Sequence, residues 1–246
     1  MPGIKGIDVS THQGNIDWSK VAQSGVQFAI LRAGYGRYSS QKDSRFESYY
    51  VEARAAGIPV GAYWYSYAMS PEEARQEADA CLEVLRGKRY EYPIYYDVEE
   101  AKQLALGKEK LSAIIRAFLE RVEAAGYFVG LYSNLSTLTN LVDESIRTRY
   151  TIWLAHWDVD KSSYSGAYGL WQYKVGQTPG ISGECDLDYA YEDFPALIKA
   201  NGLNGYVKQA EEKPPESTAP DIIDVTLTVN GKQYNGKLAI TELLKP

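Results

Sequence analysis

Cysteine and histidine are scarce in this chain, 2 of each in 246 residues. That count excludes a zinc cage built from those side chains. Cys81 and Cys185 lie far apart in sequence and are expected to be reduced, with Cys81 buried in a helical pattern. A basic surplus is also missing. The 26 Lys and Arg are outnumbered by 32 Asp and Glu, for a formal net charge of −6, so no global field for nucleic acid exists. No apolar run reaches the roughly 18 residues that a membrane-crossing helix needs. Met1-Pro2-Gly3-Ile4-Lys5-Gly6 contains no apolar core of a secretory leader, and none is expected. Phenylalanine is sparse too, with 5 residues against 21 tyrosines. A tyrosine has a flat apolar face and a hydroxyl at its edge, which suits a wet surface and, among ligands, sugar rings; a tyrosine-rich core rim explains the count equally well. The rest is ordinary: 45% hydrophobic and 24% charged, which excludes wholesale disorder.

Strand-like and helix-like segments alternate. Ile4–Asp8, Gln27–Arg32, Pro59–Tyr67, Tyr92–Asp97, Phe128–Tyr132, Thr151–Ala155 and Gly169–Tyr173 read as strands, and Asp186–Tyr191 pairs beside the last of them. Phe46–Ala56 has helical spacing before Gly57. Ser70-Pro71-Glu72-Glu73 opens a helix with an N-cap, a first-turn proline and a capping box. Lys108–Ala125 is long and amphipathic. This alternation argues for a parallel βαβ series. About seven or eight strands in this length fit a closed α/β barrel, TIM-like but irregular in its second half, where little helix separates the strands. The barrel is expected over residues 1–205. A polar, proline-rich linker follows at 206–220, then a small hairpin tail at 221–246 whose Asn230-Gly231 is a hairpin signal. That tail is too short to bury a core alone. Packing on the barrel, homo-oligomer formation through a second copy and a loose tail all remain open.

The strongest site candidate is Tyr92-Pro-Ile-Tyr-Tyr-Asp-Val-Glu-Glu100. Alternation puts Tyr95, Asp97 and Glu99 on one face, at the C-terminal end of a strand where barrel active sites form. Like charges at that spacing push their pKa values apart, so one acid stays protonated while its neighbour ionises, as glycoside hydrolysis requires. Taken alone, a solvated Asp-x-Glu explains the motif better. Asp8 ends the first strand and Asp186 starts the last, and in a closed barrel those strands are neighbours. Four acids in one concavity cost stability, which favours a functional reason. Arg32 ends a buried strand and could orient Asp8 or Asp97. Tyr63, Tyr65, Tyr132 and Trp171 fall at strand ends, where stacking on sugar faces would use them, whereas Trp64 alternates into the core. The chain has no EF-hand loop, no complete dinucleotide loop at Gly34–Gly36 and no Gly-x-Ser-x-Gly elbow. No metal or cofactor is expected. His12 and His156 have no activating Ser or Cys motif beside them.

Together these residues resemble the glycoside hydrolase family 25 muramidases, the Chalaropsis-type lysozymes found in phage endolysins and bacteria. The resemblance rests on Gly6-Ile-Asp8-Val-Ser with His12-Gln13, Phe28-Ala-Ile-Leu-Arg32-Ala, Gly61-Ala-Tyr63-Trp-Tyr65, Tyr95-Tyr-Asp97-Val-Glu99, Gly130-Leu-Tyr132-Ser, Trp153-Leu-Ala, Leu170-Trp171-Gln172-Tyr173 and Asp186-Leu-Asp188. It spans residues 3–195. It implies a barrel of about five βα units plus three further strands, and hydrolysis of the β-1,4 bond from N-acetylmuramic acid to N-acetylglucosamine in peptidoglycan. It also implies Glu99 as general acid and later base, with Asp97 steadying the 2-acetamido group and the developing positive charge. Asp8 and Asp186 would be supporting acids, and Tyr63 and Tyr132 contacts at the cleavage site. The partner implied is the glycan strand of the bacterial wall, with no nucleic acid and no membrane. The protein would be made in the cytoplasm and reach the wall by lysin-like release or another route. Two alternatives remain: an inactive wall-binding protein, against which Glu99 and Asp97 argue, and a chitinase-like enzyme. The chitinase motif wants acids at 92 and 95, where this chain has tyrosines.

Overall fold

The computed structural model describes residues 3–208 and 222–239. The chain divides into two compact units, Met1–Lys208 and Gln209–Pro246. The first is a closed eight-stranded barrel with its strands in chain order. Its elements are β1 (Ile4–Val9), α1 (Trp18–Gln23), β2 (Phe28–Tyr35), α2 (Phe46–Ala55), β3 (Val60–Tyr65), α3 (Pro71–Leu85), β4 (Ile94–Asp97), α4 (Ala101–Leu104), α5 (Lys108–Ala124), β5 (Val129–Asn134), α6 (Leu135–Asn140), α7 (Glu144–Arg149), β6 (Thr151–Ala155), β7 (Leu170–Gln177), β8 (Glu184–Ala190) and α8 (Phe194–Asn201).

Strands β1 to β7 run parallel to one another. The last strand, β8, runs backwards and closes the barrel against both β7 and β1. The expected irregularity is therefore located: no helix lies between β6 and β7 or between β7 and β8. Reversal has a consequence for side chains. The C-terminal ends of β1 to β7 face one mouth, and the N-terminal end of β8 joins them there, with Asp186 opposite Asp8.

Local chemistry fixes the helix starts. The Ser70 hydroxyl accepts from the Glu73 N–H at 3.2 Å. Glu73 reaches back to the Met69 N–H at 2.7 Å, one residue earlier than the usual capping box. Asp193 caps α8 by accepting from the Ala196 N–H at 3.0 Å.

Two cores result. An outer one lies between strands and helices and holds Trp64, Cys81, Phe118 and Trp171. The inner one fills the barrel and is largely aromatic: Phe28, Tyr92, Tyr95, Tyr132, Trp153 and Phe194. Phe28 stacks on Tyr92 at 4.4 Å between centroids and occupies space that a Cβ on Gly6 would need, at 2.2 Å. Only glycine permits that approach. Part of the tyrosine surplus is thus barrel filling, by Tyr92, Tyr95 and Tyr132. Trp153 sits among Tyr63, Tyr95 and Tyr132, with centroids 5.9, 5.2 and 4.6 Å away.

Asn204 fastens the floor. It is fully buried, with φ of 54°. Its side chain accepts from the Phe128 N–H at 2.7 Å and donates to the Tyr92 carbonyl at 2.9 Å. Its backbone donates to Gly126 and accepts from Tyr90. One residue therefore ties the approaches to β4 and β5 to the segment after α8. Cys81 and Cys185 are both free and buried.

The second unit contributes β9 (Ile222–Val229) and β10 (Lys232–Ala239), an antiparallel pair. Asn230 and Gly231 make the turn with φ of 51° and 78°, the two left-handed residues that a type I′ turn requires. Apart from 206–208, the expected linker at 206–220 lies outside the described residues, as do 221 and 240–246 of the tail.

Candidate active site at the mouth of the barrel

A cavity of about 270 Å³ opens at the mouth, lined by Asp8, Arg32, Tyr63, Tyr65, Asp97, Glu99, Tyr132, Gln172 and Asp186 among others. Of the residues singled out from sequence, only Trp171 is missing from this lining. Strand alternation explains the exception. Trp171 points into the outer core and donates its indole N–H to the His156 carbonyl at 2.8 Å. Its neighbour Gln172 takes the inward position and was not identified from sequence.

Gln172 is the organiser of one wall. It donates to Asp8 Oδ2 at 2.7 Å. Its own carbonyl oxygen accepts from Tyr132 at 2.8 Å and from the Trp157 indole at 2.9 Å. Gln172 is thereby fixed in orientation and offers Asp8 a donor, not another charge. Asp188 does not line the cavity, but its charge bears on Asp8, an influence missed from sequence. It is 1% exposed, opposite Gly6 in the ladder, and accepts from the Trp153 indole at 2.8 Å. The signal was available in Asp186-Leu-Asp188, since residues two apart share a face.

Arg32 is at the mouth but is not bonded to Asp8 or Asp97. Its Nε donates to Asp43 Oδ2 at 2.7 Å, and Asp43 is 3% exposed. Asp43 also accepts from the backbone of Thr11 and Arg45, so the ion pair locks the loop after β1 to the segment before α2. Arg32 still acts on Asp97 through space, where its charge opposes the rise described next.

The carboxyls are crowded and poorly compensated. Asp97 is 5% exposed, and its Oδ1 has no partner. Burial first, then the charge of Glu99, pushes its pKa well above the usual Asp range. Asp8 rises through burial and the charges of Asp188 and Asp186, with the Gln172 hydrogen bond working the other way. Asp188 rises through burial and the charge of Asp186, with the Trp153 indole working the other way, and its Oδ2 has no hydrogen-bond partner. Burial also raises Asp186. Glu99 lies at the solvent edge, yet burial of its inner side, Asp186 and Glu100 raise it too. These acids titrate as a set, and the set retains protons at a pH where isolated carboxyls have lost theirs.

The tyrosines face this charge. Tyr63 and Tyr132 have pKa values pushed up by burial and then by the neighbouring aspartates, so both remain neutral hydroxyls. Tyr65 reaches Glu100 at 3.4 Å.

The family model for Glycosyl hydrolases family 25 matches residues 7–181. The chain belongs to that family. The chain's curated relatives include the autolytic lysozyme of Clostridium acetobutylicum, 29% identical over 191 residues, covering 75% of this chain and 55% of that protein. Lysozyme M1 of Streptomyces globisporus is 29% identical over 200 residues, covering 75% of this chain and 66% of that one. The chain thus spans between half and two thirds of the length of these curated relatives. Among solved structures, the bacterial lysozyme of Streptomyces coelicolor superposes with a TM-score of 0.70 at 27% identity, covering 83% of this chain and 99% of that one. The CTP1L endolysin also gives 0.70, at 26% identity, covering 80% and 69%.

Proposed function

We propose that the barrel is a muramidase, cleaving the β-1,4 bond from N-acetylmuramic acid to N-acetylglucosamine in peptidoglycan, with Glu99 as general acid and then base. The observation that carries this reading is the different setting of two neighbouring acids in one cavity. Glu99 stands at the solvent edge with a raised pKa, where a glycosidic oxygen can reach its proton. Asp97 is walled in, with an unpartnered buried oxygen. Asp97 nevertheless lines the cavity, and its carboxyl is the acceptor to which the 2-acetamido N–H of a bound sugar would donate. Accepting it, together with the nearby positive charge of Arg32, draws Asp97 toward its ionised form as the oxocarbenium-like charge develops. Asp8 and Asp186 support the pair by keeping negative potential high, and so hold the proton on Glu99. The neutral faces and hydroxyls of Tyr63, Tyr65 and Tyr132 suit a sugar ring. The lysozyme relatives support the substrate class.

The test uses purified peptidoglycan, wild-type protein and Glu99→Gln. New sugar ends are reduced with borohydride and identified. Muramitol from wild type, lost with Glu99→Gln, is the expected result. Glucosaminitol would move the cut to the other bond and overturn the specificity. No new ends from wild type would favour a wall-binding protein without hydrolysis.

A further inference from the structure

One tryptophan of the barrel unit stays at the surface. The chain has 5; Trp18, Trp64, Trp153 and Trp171 are 4%, 0%, 1% and 6% exposed, whereas Trp157 is 47% exposed. Exposed rings are ordinary one at a time, but this one has a determined place. Trp153 and Ala155 of β6 both point into the barrel interior, and Trp157 is the next residue of that parity. The ladder runs on past the strand end, with the His156 N–H on the Gln172 carbonyl at 3.1 Å and the Asp158 N–H on the Tyr173 carbonyl at 3.0 Å. From the outer side the Trp171 indole holds the His156 carbonyl at 2.8 Å. The chain then turns at Asp158, with φ of 56°. The Trp157 ring is thereby set above the barrel interior, on the rim of the mouth.

The ring is also tethered. Its indole N–H donates to Gln172 Oε1 at 2.9 Å, the oxygen that also accepts from Tyr132. Gln172, Tyr132 and Asp8 all line the mouth cavity, so the edge of Trp157 lies one hydrogen bond from its wall. An indole nitrogen can donate but not accept. It therefore fixes the sense of the Gln172 amide, with the carbonyl toward Trp157 and the nitrogen toward Asp8 Oδ2, 2.7 Å away. The amide in turn holds the ring. The polar edge of Trp157 is used inside the protein, and what it presents to solvent is flat apolar surface. Most of the conformational freedom that a loose surface ring would lose on binding is already lost on folding. The cavity below, about 270 Å³, is smaller than the usual range of about 300–1,000 Å³ for small-molecule sites. A polymer bound there must lay its further rings on the rim.

We propose that Trp157 is a stacking platform for a pyranose ring of the glycan strand, the neighbour of the ring held in the mouth, with the apolar face of the sugar against the indole. The choice of a glycan as ligand rests on the proposed substrate. Through Gln172 the same ring links contact at the rim to the orientation of the donor that serves Asp8.

The experiment uses the full chain carrying Glu99→Gln, so that bound substrate is not consumed, and glycan strands freed of their peptide stems by an amidase. Acrylamide quenching of tryptophan fluorescence reads Trp157, because the other four rings are buried. Bound glycan should protect the quenchable emission, and adding Trp157→Phe should remove that emission altogether. By calorimetric titration, Trp157→Ala should weaken glycan binding about tenfold, the upper range for one aromatic contact. Trp157→Phe keeps a flat ring and loses only the N–H, so its affinity should stay within about threefold of the parent. Unchanged affinity in Trp157→Ala, or quenching that bound glycan leaves untouched, would overturn the platform. Trp157→Phe as weak as Trp157→Ala would overturn stacking and assign the loss to the Gln172 hydrogen bond. Muramitol release by the wild-type protein without protection of Trp157 in the binding experiment would sink this inference alone. Protection of Trp157 without muramitol release by the wild-type protein would sink the proposed reaction and leave the platform standing.

Discussion

Glu91 and Asp97 belong to one short stretch of chain and are similarly buried, 8% and 5% exposed, yet their surroundings differ completely. Glu91, near the floor, receives two contacts from Arg54 at 2.8 Å, the Val60 N–H at 3.2 Å and the Tyr206 hydroxyl. Burial works against its charge, but Tyr206 and Arg54 overcome it and hold its pKa below the usual value. Asp97, at the mouth, has an orphaned oxygen and acidic neighbours, and its pKa is raised. A buried carboxylate that serves the fold is supplied with donors. One kept short of them has stability withheld from it, and that shortage marks a site where charge is to be used.

Four experiments sharpen or break this contrast. The largest effect should come from Glu99→Gln, with a loss of about 10²–10⁴-fold in wall cleavage and an unchanged melting temperature; a matching fall in stability would show that the mouth is structural after all. Glu91→Gln should do the reverse. Denaturant unfolding should show a loss of about 1–3 kcal/mol, moderated because Arg54 is partly solvated, while cleavage by the folded protein at low temperature stays near wild type. Asp188→Asn should stabilise the protein at neutral pH by on the order of 1 kcal/mol while lowering activity. The sign follows from raised folded-state values. Stability from such a group is complete below the ordinary Asp value of 3.8 and is lost as pH rises through the raised one. The gain from Asp188→Asn must therefore vanish in acid and grow toward neutrality; a gain that is flat with pH would sink the charge argument. The smallest effect concerns salt. An enzyme of net charge −6 approaching an anionic wall should gain activity, a few-fold at most, from low to moderate ionic strength through screening. A steady decline would contradict it.

The barrel was legible in the sequence because its strands are short apolar runs, most of them separated by helices, and two of them carry an acid at the mouth end, Asp8 and Asp97. The closure was legible in the number of strands for this length, and it in turn put Asp8 and Asp186 on neighbouring strands. Gln172 and Asp188 were harder. A glutamine between Trp171 and Tyr173 looks like a spacer until the register shows that it alone turns inward. Trp171 misled because aromatic content was taken as a sign of sugar contact, when strand parity was the better guide. Arg32 was placed correctly, but its partner Asp43 sits in a loop that no periodicity marks.

Asn204 and the reversed β8 also bear on where this protein can be cut and joined. The family match ends at residue 181, before β8 begins at Glu184 and well before Asn204. A fragment ending there would leave β1 and β7 as two bare edges, ready to pair with other chains, and would leave the Phe128 N–H without its acceptor. The smallest self-sufficient module therefore extends through Tyr206. Grafts onto other proteins should place their seam beyond that residue, however short the recognisable family segment looks.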